Sequence, residues 1–134
     1  MASDKILIVD DDRDFLEELQ ETLSLNGYDA IAVDDGISAL EVAPMVKPDL
    51  ILLDIKMKGM YGFQVAERLK GSPRTSYIPI IAMTGCFTRK EDTRLMTLCG
   101  METCLMKPFN PSELILVIKK ILRQNWKRSN KVHP

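Results

Sequence analysis

Apolar residues fall in two alternating periods along this chain. Ile6-Leu-Ile-Val9 is a short, continuous, β-branched run that stops at Asp10. Phe15, Leu16, Leu19 and Leu23 then share one helical face, with acids at its start and Asn26-Gly27 at its end. Acids in a first turn and glycine after a last one are helix punctuation. The alternation repeats four times. Strands are expected at Ala30–Val33, Leu50–Leu53, Ile78–Met83 and Thr103–Met106. Helices are expected at Gly36–Val46, Gly62–Lys70 and Thr88–Leu98, the last very polar in its first half. Pro111 opens a final helix with Leu114, Val117, Ile118, Ile121 and Leu122 inward and Asn110 or Ser112 as cap. Five strands alternating with five helices predict a doubly wound α/β domain. Strands apolar at every position are buried on both faces, so the sheet is parallel and helices cover both sides.

Composition narrows the chemistry. The 134 residues make one domain, with 46% hydrophobic and 28% charged residues. The three cysteines, Cys86, Cys99 and Cys104, form no CxxC pair and read as reduced thiols of a cytoplasmic protein. The one histidine, His133, stands beside the C-terminus. That excludes a histidine-dependent catalytic site in the body of the domain. No apolar run reaches the roughly 20 residues of a membrane helix, and no secretory signal is expected. The net charge of −1 hides an asymmetry. Residues 119–134 carry six Lys or Arg and no acid, which leaves the first 118 residues at −7. An acidic body argues against nucleic-acid binding by the domain itself. The regular pattern ends near Asn125. We therefore expect a domain over 1–125 and a basic tail, or the start of a linker, over 126–134.

In a parallel sheet, ligands gather where the strands end. Strand one ends at Asp10-Asp11-Asp12, strand three at Asp54, strand four at Thr84 and strand five at Lys107. If strands one and three are neighbours, about 4.8 Å apart, their carboxylates crowd and raise one another's pKa unless a cation joins them. A hard cation with oxygen ligands fits, and Mg²⁺ with carboxylates and phosphate oxygens fits best. Each residue alone has an ordinary reading: Asp12 as a helix cap, Asp54 and Thr84 as turn residues, Lys107 as a solvated charge. Their joint placement at strand ends is what points to a site.

The motifs are Ile-Leu-Ile-Val-Asp-Asp-Asp at 6–12, Asp-Leu-Ile-Leu-Leu-Asp-Ile-Lys-Met at 49–57, Ile-Pro-Ile-Ile-Ala-Met-Thr-Gly at 78–85 and Lys-Pro-Phe at 107–109. Together, from Lys5 to Arg123, the chain resembles a response-regulator receiver domain, the phosphoacceptor module of two-component signalling. The resemblance implies a flavodoxin-like (βα)5 fold with strand order 2-1-3-4-5. It makes Asp54 the phosphoryl acceptor, with Thr84 and Lys107 contacting the phosphoryl group. It places Mg²⁺ on Asp11, Asp54 and the backbone carbonyl of Lys56, with Asp10 acting through a water, and it implies a cis Lys107-Pro108 bond. It implies a switch, not a classical enzyme: the domain catalyses only its own phosphoryl transfer and slow autodephosphorylation. The partners implied are a sensor histidine kinase or histidine phosphotransfer protein, an output domain or protein, and a second copy through the last helix–strand–helix face.

Three positions depart from that pattern. Lys58 and Tyr61 replace the usual proline and the usual acidic or small residue ahead of Gly62. Cys104 stands where an aromatic ring is frequent, so signalling is expected to run through residues 84–92 instead. A haloacid-dehalogenase-like phosphatase is the enzymatic alternative, with Asp10-x-Asp12 as its pair. It leaves Asp54 without a role and lacks a late acidic motif beyond Glu113. A degenerate receiver serving only as an interaction module is the third reading.

Overall fold

A computed structural model describes residues 3–85 and 90–131. The elements follow the expected alternation: β1 (Lys5–Val9), α1 (Arg13–Leu25), β2 (Asp29–Val33), α2 (Gly36–Val46), β3 (Leu50–Asp54), α3 (Gly62–Lys70), β4 (Ile80–Thr84), α4 (Lys90–Leu98), β5 (Thr103–Met106) and α5 (Pro111–Lys131). The strands form one parallel sheet in the order β2-β1-β3-β4-β5.

The strand pleat sorts the apolar residues into two cores. Leu7, Val9, Ile51, Leu53, Ile80 and Ala82 face α2, α3 and α4, meeting Ala39, Ala43, Val65, Leu69 and Met96. Their neighbours in sequence, Ile6, Ile8, Leu50, Leu52, Ile81 and Met83, face α1 and α5, meeting Leu16, Leu19, Leu23, Leu114 and Ile118. A two-residue period inside a continuous apolar run therefore supplies both faces, which is why the central strands needed no polar positions.

The helix ends behave as their chemistry requires. Asp12 caps α1, its side chain accepting from Phe15 N at 3.2 Å. Gly27 takes φ +87° just after the helix, where a Cβ would be strained. Asn110, not Ser112, caps α5, accepting from Glu113 N at 2.7 Å.

Some boundaries differ from the sequence reading. Residues 78 and 79 lead into β4 rather than forming its start, and Thr84 is the last residue of the strand. The expected beginning of α4 at Thr88 lies outside the described residues, as does Cys86. The basic segment from Trp126 onward is helical as far as Lys131, continuing α5, with Arg128 3.7 Å from Glu102 at the foot of β5.

Gly62 ties α3 to the end of β3. Its N–H donates to the Ile55 carbonyl at 2.8 Å. A Cβ there would sit 2.4 Å from the Asp54 carbonyl oxygen and 2.7 Å from the Ile55 Cα, both rigid backbone. Gly62→Ala should therefore displace the strand end that carries Asp54, costing about 1–3 kcal/mol in a chemical denaturation experiment. An unchanged midpoint would mean this packing is loose.

Candidate active site

The register brings the strand ends together. Val9 pairs with both Val33 and Leu53, so Asp10 and Asp54 follow adjacent positions on neighbouring strands. Asp54 pairs with Met83, and Thr84 with Met106 just before Lys107. Asp10, Asp54 and Thr84 are buried, whereas Asp11 is exposed. Asp10, Asp11 and Asp54 each offer a carboxylate oxygen, and these lie within 4.8 Å of one another.

Each charge is held by specific partners. Asp10 accepts from Asp12 N at 3.0 Å and from Lys107 Nζ at 2.5 Å. Lys107 is farther from Asp54, at 3.9 Å. It is therefore paired first with Asp10, a partner that neither its reading as a solvated charge nor the resemblance implied. Asp54 Oδ1 receives a weak 3.4 Å contact from Lys56 N. The Lys107-Pro108 bond is cis, as expected. Lys56 is exposed and lines an open cleft of about 500 Å³ with Asp11, Met57, Lys58, Gly59 and Tyr61.

Sequence reasoning missed two features. The backbone N–H of Lys58 donates to Asp11 Oδ2 at 3.0 Å. Proline has no N–H, so the departure at position 58 supplies a hydrogen bond to a candidate ligand that the usual residue cannot make. The Lys107 ammonium also lies over the Phe15 ring, which packs against Phe109. Phe15 was legible as an inward-facing helix residue, but no spacing rule linked it to a lysine 92 positions away.

Burial pushes the Asp54 carboxyl up to about 6, and the Asp10 charge adds to this; Lys107 and the Lys56 N–H only partly offset it. The ordinary value is 3.8. The folded chain thus holds this proton more tightly than the unfolded chain. Well below pH 3.8 both states are protonated and the fold loses nothing. As pH rises from 3.8 through 6 the folded carboxyl ionises at a cost, which reaches about 2–3 kcal/mol by neutral pH. In chelator, Asp54→Asn should be more stable than the parent by about that amount at pH 7, by only about 0.5 kcal/mol near pH 4, and not at all near pH 3. A constant difference across this range would contradict the burial argument.

Comparison with known proteins decides the family. Residues 6–119 match the response regulator receiver domain family. The chain belongs to that family. This receiver domain is 36% identical over 121 residues to the DNA-binding response regulator MtrA of Mycolicibacterium paratuberculosis, covering 90% of the chain and 52% of that protein. It is 37% identical over 125 residues to the phosphate regulon transcriptional regulatory protein PhoB of Pseudomonas aeruginosa, covering 92% and 54%. The chain spans about half the length of the curated relatives it matches. Among solved structures, a CheY-like receiver domain protein from Methanospirillum hungatei superposes with a TM-score of 0.88 at 28% identity, covering 94% of this chain and 98% of that one. Chemotaxis protein CheY4 of Vibrio cholerae gives 0.85 at 29% identity, covering 89% and 98%. The fold is therefore the flavodoxin-like CheY arrangement. Receiver domains serve two-component signalling, and phosphorylation on aspartate is characteristic of them. The family is regulatory rather than classically enzymatic. Among the described residues no helix is long and apolar enough to cross a membrane.

Proposed function

We propose that Asp54 accepts a phosphoryl group from a histidine kinase or histidine phosphotransfer protein in the presence of Mg²⁺, and that the phosphorylated domain changes its contacts with an output partner. The observation that carries this reading is the convergence of Asp10, Asp11 and Asp54 within 4.8 Å with Lys107 between two of them.

The donor set suits a hard divalent cation: clustered carboxylate oxygens, one of them with a raised proton affinity, and no nitrogen or sulfur among them. Asp11 and Asp54, the Lys56 carbonyl and, less directly, Asp10 would hold Mg²⁺. When bound, the cation neutralises the cluster and draws negative charge from the phosphoryl oxygens. The rest is the work of the chain. Asp54, ionised, attacks phosphorus through a carboxylate oxygen; the bond from phosphorus to the donor imidazole nitrogen breaks and the electron pair leaves with that nitrogen. Lys107 and the Thr84 hydroxyl meet the charge that spreads over the transferring group. Burial of Asp54, the last residue of β3, limits the approach of water to the acyl phosphate.

Half-buried Cys104 sits opposite Ala82 in the sheet and packs against the core that includes Met96 and Met101. A thiol has little surface to move between rotamers. We propose that the switch acts through the segment after Thr84, of which residues 86–89 lie outside the described set. We keep residues 1–125 as the proposed domain and 126–134 as a basic tail or the start of a linker. Pairing with a second copy through α4, β5 and α5 is part of the same proposal.

Intact-mass measurement with a small acyl phosphate tests the reading. One phosphate should add with Mg²⁺ and none in chelator. Steady turnover of a phosphate ester beyond one equivalent would instead favour the phosphatase reading.

A further inference from the structure

The ammonium of Lys107 has a neighbour besides its two carboxylates. Nζ stands 4.2 Å from the centroid of the Phe15 ring. That ring and the Phe109 ring form a T-shaped pair, with centroids 6.0 Å apart and planes at 79°. Phe15 belongs to the first turn of α1, directly after the Asp10-Asp11-Asp12 run, and its N–H is fixed by the Asp12 cap. Phe109 follows Lys107 by two residues. The aromatic pair thus joins the two segments that carry Asp10 and Lys107.

The face of a phenyl ring is negative and its edge positive, so a face toward an ammonium and a T-shaped contact with a second ring are both favourable. The Lys107 side chain is 20% exposed, so water competes for it only in part. A lysine side chain is long and loses much rotamer freedom when held in one place. Asp10 alone would hold the ammonium on one side. The ring covers a second side without using a lone pair, and so leaves the N–H groups able to turn from Asp10 toward Asp54.

We infer that Phe15 is a positioning residue for phosphoryl transfer: its ring face holds the Lys107 ammonium between Asp10 and Asp54, ready to meet the transferred group. This rests on the reading of Asp54 as acceptor and Lys107 as its phosphoryl partner. Phe15 touches neither phosphorus nor metal and acts through Lys107.

The test replaces Phe15 in the full chain with phenylalanines of increasing ring fluorination, which nearly preserve shape while draining charge from the ring face. Two quantities are read: the rate of labelling by a small acyl phosphate with Mg²⁺, and the proton shifts of the Lys107 side-chain methylene next to Nζ. In the parent that methylene should be shifted upfield by the ring. The labelling rate should fall stepwise with fluorination, by roughly three- to tenfold at the end of the series. Melting temperatures should not follow the same order. Phe15→Tyr should label like the parent and Phe15→Leu slowly. A flat rate across the fluorinated series, with a parent that labels normally, overturns the inference. So does a Lys107 methylene without the ring shift. A parent that shows the shift but never labels overturns the acceptor reading, and the positioning role with it.

Discussion

Asp54→Ala should take up no phosphate under conditions in which the parent takes up one. The effect is total, not graded, because the substitution removes the carboxylate proposed as the nucleophile. The neighbouring carboxylates do not substitute for it. Asp10 is buried and already accepts from Lys107 and from Asp12 N. Asp11 is exposed and its carboxylate is held by Lys58 N at the mouth of the cleft. Asp12 is occupied in capping α1. The loss of labelling should not come from loss of fold. At neutral pH in chelator the variant should be more stable than the parent, since the ionised Asp54 carboxylate costs the metal-free fold about 2–3 kcal/mol. Labelling of Asp54→Ala at the parental rate would mean that another side chain is the acceptor.

Lys107→Met should have the largest effect on stability. Asp10 is 1% exposed, and the ammonium at 2.5 Å is its main compensation. Removing one partner of a buried pair leaves a charge in poor surroundings, which typically costs 3–5 kcal/mol. Lys107 retains some contact with water, and the Asp12 N–H still serves Asp10, so about 2–3 kcal/mol is expected here. Adding Asp10→Asn to Lys107→Met should recover most of that loss, because an amide needs no counter-charge. It should not recover phosphoryl transfer, which needs the cation. Urea titration of the two single variants and the double variant checks this. Independent, additive effects would show that the pair is not coupled.

The parts of this domain visible in the sequence are those fixed by local physics. The continuous apolar runs at 6–9 and 50–53 could be buried only on both faces, and the two cores that share those strands are the result. Asp12 was legible as a cap because an acid just before an amphipathic run has one common use. The site was legible because strand ends in a parallel sheet share an edge, so Asp10, Asp54, Thr84 and Lys107 had to approach one another. What stayed hidden depends on contacts that no period encodes. That Lys107 pairs with Asp10 more closely than with Asp54 follows from side-chain reach across the sheet. That Asp11 points to the surface and meets the Lys58 N–H follows from the path of the loop after β3. The helix continues past Asn125, and there Arg128 lies 3.7 Å from Glu102, a pairing of residues far apart in sequence that no local period encodes. The repulsion expected among the aspartates is present, but it falls on buried Asp54 through Asp10 first, with exposed Asp11 the smallest contributor.

Locating the acyl phosphate tests the central claim most directly. The domain would be labelled with a small acyl phosphate and Mg²⁺, reduced with borohydride so that the phosphorylated aspartate is converted to homoserine, digested and sequenced by mass spectrometry. The account predicts homoserine at position 54 alone, and none when chelator replaces Mg²⁺. Homoserine at position 10, 11 or 12, or its appearance at 54 regardless of metal, would contradict it.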